Sequence, residues 1–327
     1  SSLRTDEHMA AQDGKMREML EEENLDIRVS ILPIVDGEKA VLRLLSSRSR
    51  QYTLKDLGMS EQDLTKLNRS FTKSYGAILC TGPTGSGKTT TIYSILKIIN
   101  TREKNITTIE DPVEYKIRGA NQIQVNSKSN LTFASGLRSI LRQDPNVIFV
   151  GEIRDGETAG IAINAALTGH LVLSTLHTND AATAIPRLID MKVEPFLVSS
   201  TVNIVIAQRL VRKICPHCVE SYHPNQELIK EFNKSTSISL NKLNKLKYYV
   251  GKGCTECNNL GYKGRIGIYE VFEMDDELRE LMLKKPTVAE IKKMAIKKGM
   301  VDMIHDGVEK ISQGITTLEE VLRVTKE

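Results

Sequence analysis

Hydrophobic positions between residues 77 and 210 follow two alternating patterns, short apolar runs and longer segments with apolar residues every three or four positions. The short runs predict buried strands at 77–80, 106–109, 123–125, 147–150 and 171–174. The longer segments predict helices near 87–100, 132–143, 155–168, 180–192 and 195–210. Strands that alternate with helices are typical of a parallel sheet covered by helices. We therefore expect an α/β core in this part of the chain.

The pattern changes on both sides of this core. Residues 25–45 alternate as strands do around a turn at Asp36-Gly37, and residues 46–73 are polar with weak helical periodicity. A segment bracketed by cysteines follows the core, and residues 275–325 have the spacing of short helices. These changes predict five parts, a partial N-terminal domain at 1–50, a linker at 51–74, the core at 75–212, a cysteine-bracketed subdomain at 213–262 and a helical subdomain at 263–327.

Composition narrows the class of protein. Of 327 residues, 40% are hydrophobic and 26% are charged, which is ordinary for a soluble globular protein. No apolar run approaches the ~20 residues that a membrane span needs. A net charge of +4 is weak evidence for a nucleic-acid partner. Four of the five cysteines form two C-x-x-C pairs, which favours a metal site in a reducing cytoplasm over a disulfide framework.

One glycine-rich segment fits the P-loop pattern G-x-x-x-x-G-K-[ST] at every fixed position. It is Gly82-Pro83-Thr84-Gly85-Ser86-Gly87-Lys88-Thr89. We expect Lys88 to reach the β- and γ-phosphates and the Thr89 hydroxyl to hold Mg²⁺, with Thr90 among the nucleotide-binding positions. An ordinary glycine-rich turn is the alternative interpretation. A predicted strand before the segment and a predicted helix after it favour binding of a nucleoside triphosphate.

Two predicted strands end in acidic residues. Glu152 follows the strand at 147–150, and Glu110 with Asp111 follows the strand at 106–109. Sites in parallel α/β proteins lie at the carboxyl ends of strands, so a role in function is favoured over a surface position. Either glutamate could be the general base that activates water. Glu152 is also expected to face Mg²⁺, as the last residue of a Walker B strand.

His177 follows a predicted strand end, in Thr175-Leu176-His177. This position suits a side chain that senses a γ-phosphate, although a lone histidine is more often structural than functional.

The cysteine pairs predict a second site. They are Cys215-Pro216-His217-Cys218 and Cys254-Thr255-Glu256-Cys257. Two C-x-x-C turns can close a tetrahedral Cys₄ shell around Zn²⁺, and a closed shell indicates a structural metal that stabilises a small segment. The alternatives are a redox C-x-x-C motif and competition from His217 as a ligand. Cys80, just before the P-loop, is expected to be a small buried apolar residue.

Four segments in this order resemble the Walker A motif, Asp box, Walker B motif and His box of the secretion-superfamily ATPases. They are the P-loop, Glu110-Asp111-Pro112, Gly151-Glu152-Ile153-Arg154-Asp155 and Thr175-Leu176-His177-Thr178-Asn179-Asp180. The cysteine pairs narrow the resemblance to the type II secretion and type IV pilus assembly branch (the GspE/PilB family). Pilus retraction ATPases are similar but lack these cysteines. The resemblance extends from Asp26 to the C-terminal helices.

The resemblance implies a RecA-like P-loop NTPase core with a small N-terminal α/β (PAS-like) domain, a Cys₄ zinc subdomain and a C-terminal helical tail. It implies a homo-hexamer that hydrolyses ATP with Mg²⁺ and carries Zn²⁺. In such enzymes the N-terminal domain folds over the nucleotide and supplies arginines, and Arg28 and Arg43 occupy the matching places. Each alone could equally be a surface arginine in a salt bridge. The family's docking domain, still nearer the N-terminus, is expected to lie outside this sequence.

The implied function is assembly of pilus or pseudopilus subunits. The implied partners are an inner-membrane platform protein and a cytoplasmic adaptor, and the implied location is the cytoplasm, peripheral to the inner face of the cytoplasmic membrane. One alternative is a P-loop nucleic-acid translocase with a zinc ribbon, supported by Lys292-Lys293 and Lys297-Lys298. A solvated helix face explains those lysines as well, and 5% aromatic residues give little stacking capacity, so direct nucleic-acid binding is not expected. A nucleotide-gated scaffold that barely hydrolyses is a third interpretation.

Overall fold

The structure is a computed structural model that describes residues 3–19, 24–46, 51–236 and 238–326. The chain forms two compact units, Ser1–Thr53 and Leu54–Glu327.

The N-terminal unit contains an antiparallel sheet of three strands in the order β1-β2-β3. The strands are β1 (Gln12–Met19), β2 (Asn24–Ile34) and β3 (Gly37–Ser46). The strand pattern predicted at 25–45 is therefore present, with the turn at Asp36-Gly37. Gly37 has a φ of +123°, a conformation that few residues other than glycine adopt. Ile27 and Val29 are buried on one face of the sheet, and Arg28 lies on the other face.

The described residues of the second unit form nine strands. They are β4 (Gly76–Thr81), β5 (Ile106–Glu110), β6 (Ala120–Gln124), β7 (Val147–Val150), β8 (Leu171–Leu176), β9 (Val202–Ile214), β10 (Val219–Tyr222), β11 (Tyr248–Gly251) and β12 (Tyr262–Glu273). β10 and β11 form a small antiparallel pair. The other seven form one sheet in the order β12-β9-β4-β8-β7-β5-β6. Its strands are parallel except for β12, which runs antiparallel to β9.

Helices cover both faces of this sheet. They are α1 (Glu61–Phe71), α2 (Lys88–Ile99), α3 (Phe133–Ile140), α4 (Gly156–Leu167), α5 (Ala184–Asp190), α6 (Pro195–Thr201), α7 (Gln226–Thr236), α8 (Leu240–Asn244), α9 (Asp276–Leu283), α10 (Val288–Lys297), α11 (Met303–Ser312) and α12 (Leu318–Thr325). Ile78 and Cys80 of β4 are buried with α2, whereas Ala77 and Leu79 are buried with α4 on the opposite face. The predicted α/β architecture with a parallel sheet is confirmed.

One predicted helix is wrong in its second half. The sequence pattern predicted a helix at 195–210, but α6 ends at Thr201 and the long strand β9 begins at Val202. The first seven residues of β9 are all buried, so the apolar run has no alternation that would separate a strand from a buried helix. The β-branched residues Val202, Ile204, Val205 and Ile206 favour the strand. β12 was not predicted either, and it is the seventh strand of the sheet.

Across the described ranges, no helix combines the length and the apolar character needed to span a membrane.

Candidate active site

The glycine-rich segment forms the loop between β4 and α2. Gly82 has a φ of +143° and Gly87 a φ of +90°. A Cβ atom at Gly82 would lie 2.4 Å from the backbone carbonyl oxygen of Gln208, closer than real Cβ contacts. The loop therefore needs glycine at Gly82 both for its backbone conformation and for its close packing on β9.

Lys88 begins α2 and is buried, and its ammonium group donates to the carbonyl oxygens of Gly82 at 2.7 Å and Pro83 at 3.0 Å. Burial lowers the pKa of Lys88, and the nearby Cys80 and Glu152 act in the opposite direction. Thr89 and Thr90 lie in the first turn of the same helix.

The Ser86 hydroxyl is buried and, among the described residues, has no hydrogen-bond partner. A buried lysine, an unsatisfied hydroxyl and the N-terminus of a twelve-residue helix together fit a phosphate group.

Glu152 lies just beyond the carboxyl end of β7, two strands from β4. Its Oε1 atom is 2.6 Å from Arg154, and its Oε2 atom is 3.3 Å from Nε2 of His177. The structure thus brings together Glu152 and His177, which were predicted separately from two strand ends. Glu152 and the P-loop both follow the carboxyl ends of parallel strands in the same sheet, and the charge of Glu152 acts to raise the pKa of Lys88.

Glu110 is the last residue of β5 and is 2% exposed. Its carboxylate accepts hydrogen bonds from the Thr108 hydroxyl at 2.6 Å, from Gln122 Nε2 at 3.3 Å and from the Tyr93 hydroxyl on α2. Burial raises the pKa of Glu110, and these three donors oppose the shift. The side chain is therefore enclosed in a polar network between β5 and α2.

The four cysteines of the two C-x-x-C pairs lie together, with all sulfur atoms within 4.8 Å of one another. Sulfur separations are 3.8 Å for Cys215 and Cys254, 3.9 Å for Cys218 and Cys257, and 3.7 Å for Cys254 and Cys257. Four bonds of ~2.3 Å in a tetrahedron place ligand sulfurs about 3.8 Å apart, so the cluster fits Zn²⁺. The group holds cysteines only, which leaves exposed His217 outside it.

Comparisons with known proteins identify the family. The family model described as "Type II/IV secretion system protein" matches residues 1–323. The chain belongs to this family. The resemblance stated from the motifs is therefore confirmed.

Two curated relatives show which members of the family are similar. The chain is 50% identical over 316 residues to the type IV pilus assembly ATPase PilB of Thermus thermophilus, covering 97% of this chain and 35% of the relative. It is 48% identical over 316 residues to type II secretion system protein E of Pseudomonas aeruginosa, covering 97% of this chain and 62% of the relative. The chain thus spans less than two thirds of these relatives.

The fold also matches a solved structure. The pilus retraction motor PilT, crystallised with bound ADP, superposes with a TM-score of 0.70 at 28% identity, covering 100% of this chain and 82% of that one. This match supports a common architecture for assembly and retraction members of the family.

Arg28 and Arg43, the two arginines that the family resemblance singled out, lie in the N-terminal unit. They are direct neighbours across β2 and β3, and Lys15 of β1 lies opposite Arg28 on the same face. All three line a surface depression of about 380 Å³. Asp13 lines the same depression, so it holds charges of both signs.

Two further residues support the site and were missed by the sequence analysis. Gln208 of β9 donates to the carbonyl oxygen of Ser86 at 2.7 Å. Glu270 of β12 is buried and accepts from the Ala181 backbone at 3.0 Å, in the segment that follows His177. Both lie on the strands that the pattern failed to predict. The available signal was a polar residue that directly follows a short apolar run, at 204–207 before Gln208 and at 266–269 before Glu270.

Proposed function

We propose that this chain is the motor part of an ATPase that drives assembly of pilus or pseudopilus subunits in a type IV pilus or type II secretion machine. The observation that carries the proposal is that the buried Lys88 of the P-loop and the Glu152–His177 pair follow the carboxyl ends of parallel strands of one sheet. Family membership and the named ATPase relatives support it. The proposal includes a homo-hexamer at the cytoplasmic face of the inner membrane, with a platform protein and a cytoplasmic adaptor as partners.

In this proposal the P-loop holds the triphosphate, with Lys88 neutralising charge on the β- and γ-phosphates. Glu152 accepts the proton of the attacking water, and His177 holds the Glu152 carboxylate in position through their 3.3 Å contact. Thr89 and Glu152 would hold Mg²⁺, which supplies positive charge at the phosphates. The carboxyl ends of neighbouring parallel strands bring these groups to one edge of the sheet.

Arg28 and Arg43 complete the proposal as cations for the γ-phosphate, since an arginine in that role adds roughly 10³–10⁵ in rate in other phosphoryl-transfer enzymes. Replacing either with alanine should lower turnover more than nucleotide affinity. Unchanged turnover in both variants would remove the arginines from the mechanism.

We also propose that the four cysteines bind one structural Zn²⁺ per chain. The sulfur separations and the short backbone N–H contacts of Gly253 to Cys218 and Gly261 to Cys257, both 3.3 Å, support thiolate ligands. Metal analysis of protein purified without chelators under reducing conditions should find one zinc per chain. Protein without zinc would defeat the assignment.

The experiment that tests the function is phosphate release from ATP and Mg²⁺ by the wild-type chain, the Lys88→Ala variant and the control Lys128→Ala. Lys128 is an exposed lysine in a surface turn of the same unit. Lys88→Ala should lose roughly 10²–10³-fold in rate, as when other groups that stabilise transition-state charge are removed. Equal rates for Lys88→Ala and wild type would contradict the proposal. Stimulation by DNA would favour a nucleic-acid translocase instead.

A further inference from the structure

Gln208 is a buried polar side chain that contacts the P-loop. It lies on β9, is 1% exposed, and directly follows the buried apolar residues 204–207. A buried amide is tolerated only when its donor and acceptor are both satisfied. The hydrogen-bond partners of the Gln208 amide therefore identify the segments that it holds together.

The three partners come from three successive segments. The Gln208 Nε2 atom donates to the Ser86 carbonyl at 2.7 Å. Its Oε1 atom accepts from the Thr91 hydroxyl at 2.7 Å and from the Cys80 thiol at 3.3 Å. Cys80 belongs to β4, Ser86 to the loop and Thr91 to α2. One side chain thus joins the strand before the P-loop, the loop and the helix after it.

The backbone packs equally closely at this point. A Cβ atom at Gly82 would lie 2.4 Å from the Gln208 carbonyl oxygen, and one at Gly87 would lie 3.0 Å from Gln208 Nε2. Both ends of the loop therefore rest directly on this residue of β9.

The Ser86 contact has a direct consequence for phosphate binding. In a trans peptide the carbonyl and the following N–H point in opposite directions. Because Gln208 holds the Ser86 carbonyl toward β9, the Gly87 N–H points away from the strand. Successive backbone N–H groups that line the concave side of a loop are the groups that bind phosphate.

We propose that Gln208 is a positioning residue that sets the conformation of the phosphate-binding loop through the Ser86–Gly87 peptide. This inference rests on the proposed nucleotide-binding function and adds a residue to it. Gln208 touches neither the phosphates nor the water; it acts through the loop.

Asn203 provides a matched control on the same strand. It is also a buried amide, 5% exposed, and it donates to the Tyr75 carbonyl at 3.0 Å and accepts from Lys73 at 3.3 Å. It packs against Gly76 as Gln208 packs against Gly82. Its contacts are at the start of β4, so its loss should destabilise the fold without changing the P-loop.

The variants are Gln208→Met, which keeps the length and removes all three hydrogen bonds, Gln208→Asn, which draws the amide back from Ser86, and the control Asn203→Leu. Binding of ATP and ADP with Mg²⁺ is measured at equilibrium, together with denaturant unfolding. Both Gln208 variants should bind nucleotide roughly tenfold more weakly, about the change that one lost buried hydrogen bond produces. Asn203→Leu should lose stability but keep wild-type affinity.

Amide hydrogen exchange without nucleotide gives a second measurement that does not depend on ATP binding. Exchange at residues 82–91 should be faster in both Gln208 variants, relative to each protein's global stability, and unchanged in Asn203→Leu. Wild-type affinity and wild-type exchange in either folded Gln208 variant would overturn the inference. A wild-type chain that binds no nucleotide would instead defeat the proposed function, while the exchange result would still decide the role of Gln208.

Discussion

The carboxyl ends of β5 and β7 present the same residue type in two different environments. The strands are parallel neighbours, and Glu110 ends one while Glu152 lies just beyond the other. Glu110 contacts neutral donors in a buried network, whereas Glu152 contacts the guanidinium group of Arg154 and the imidazole ring of His177. A glutamate at a strand end is therefore not sufficient to identify a general base, because its neighbours decide what it can do.

Enclosure of Glu110 argues against a role in proton transfer. Tyr93, one of its three donors, belongs to α2 and is fully buried. A general base must reach a water molecule, but both Glu110 oxygens already accept from fixed side chains. We therefore propose that Glu110 has a structural role and connects β5 to α2 through its hydrogen bond with Tyr93.

Glu152 is less confined. The side chains of its partners Arg154 and His177 are 62% and 48% exposed, so they can move while the carboxylate stays at the strand end. Its charge also acts on Lys88. These features favour Glu152 as the base.

The largest effect should come from Glu152→Gln, which keeps the shape of the side chain but removes its basicity. We expect turnover to fall by roughly 10²–10⁴-fold, the usual contribution of a general base, with ATP affinity nearly unchanged. Phosphate release and equilibrium binding measure the two quantities. Glu157→Gln is the control, because Glu157 of α4 forms a surface ion pair with Arg138 of α3. Wild-type turnover in Glu152→Gln would show that Glu152 is not the general base.

A smaller loss, about tenfold, is expected for His177→Ala, which removes the contact that orients the Glu152 carboxylate. The matched control is His170→Ala, since His170 lies just before β8 and its ring Nδ1 atom lies 3.0 Å from the Ala165 carbonyl oxygen. Turnover should be compared at saturating ATP. If both histidine variants behave alike, His177 has no specific role.

Glu110→Gln should lower stability more than turnover. In this variant one carboxylate oxygen becomes an amide NH₂ group, which cannot accept a hydrogen bond. Either Thr108 or Tyr93 therefore loses its acceptor, and about 1–3 kcal/mol of unfolding free energy should be lost. Denaturant unfolding measures the loss, and turnover should change less than about tenfold. A loss of turnover as large as that of Glu152→Gln in folded protein would reverse the assignment of the base.

The sequence predicted the parts of the site that depend on local spacing. The P-loop and the cysteine pairs are defined by residues close together in the chain, and their structures agree with the patterns. The predicted strands at 106–109, 147–150 and 171–174 are also present, because each is a short apolar run between turn residues. Local pattern was therefore enough for these elements.

The rest depends on contacts between distant segments. β9 was missed because burial on both faces removes its alternation, and Gln208 was missed with it. The difference between Glu110 and Glu152 could not be predicted, since Tyr93 and Gln122 reach Glu110 from other elements. Sequence pattern identified both carboxylates, but only the tertiary contacts separate their chemistry.

The smallest effect concerns pH. Burial holds the pKa of Glu110 in the folded chain above its ordinary value. At a pH between the ordinary and the raised pKa, Glu110 is protonated in the folded chain and ionised in the unfolded chain. The unfolded state then binds fewer protons, and stability falls as pH rises from the ordinary glutamate pKa through the raised one. Glu110→Gln cannot titrate, so the difference in unfolding free energy between wild type and variant should narrow over this window and level off above it.

Tyr93→Phe sharpens this test. It removes a donor that lowers the Glu110 pKa, so the pKa should rise further and the pH window should widen. Urea unfolding of wild type, Glu110→Gln and Tyr93→Phe from about pH 4 to about pH 9 compares the three slopes. A wild-type slope identical to that of Glu110→Gln would mean that Glu110 does not titrate differently in the folded chain. The contrast between the two strand ends would then rest on geometry alone.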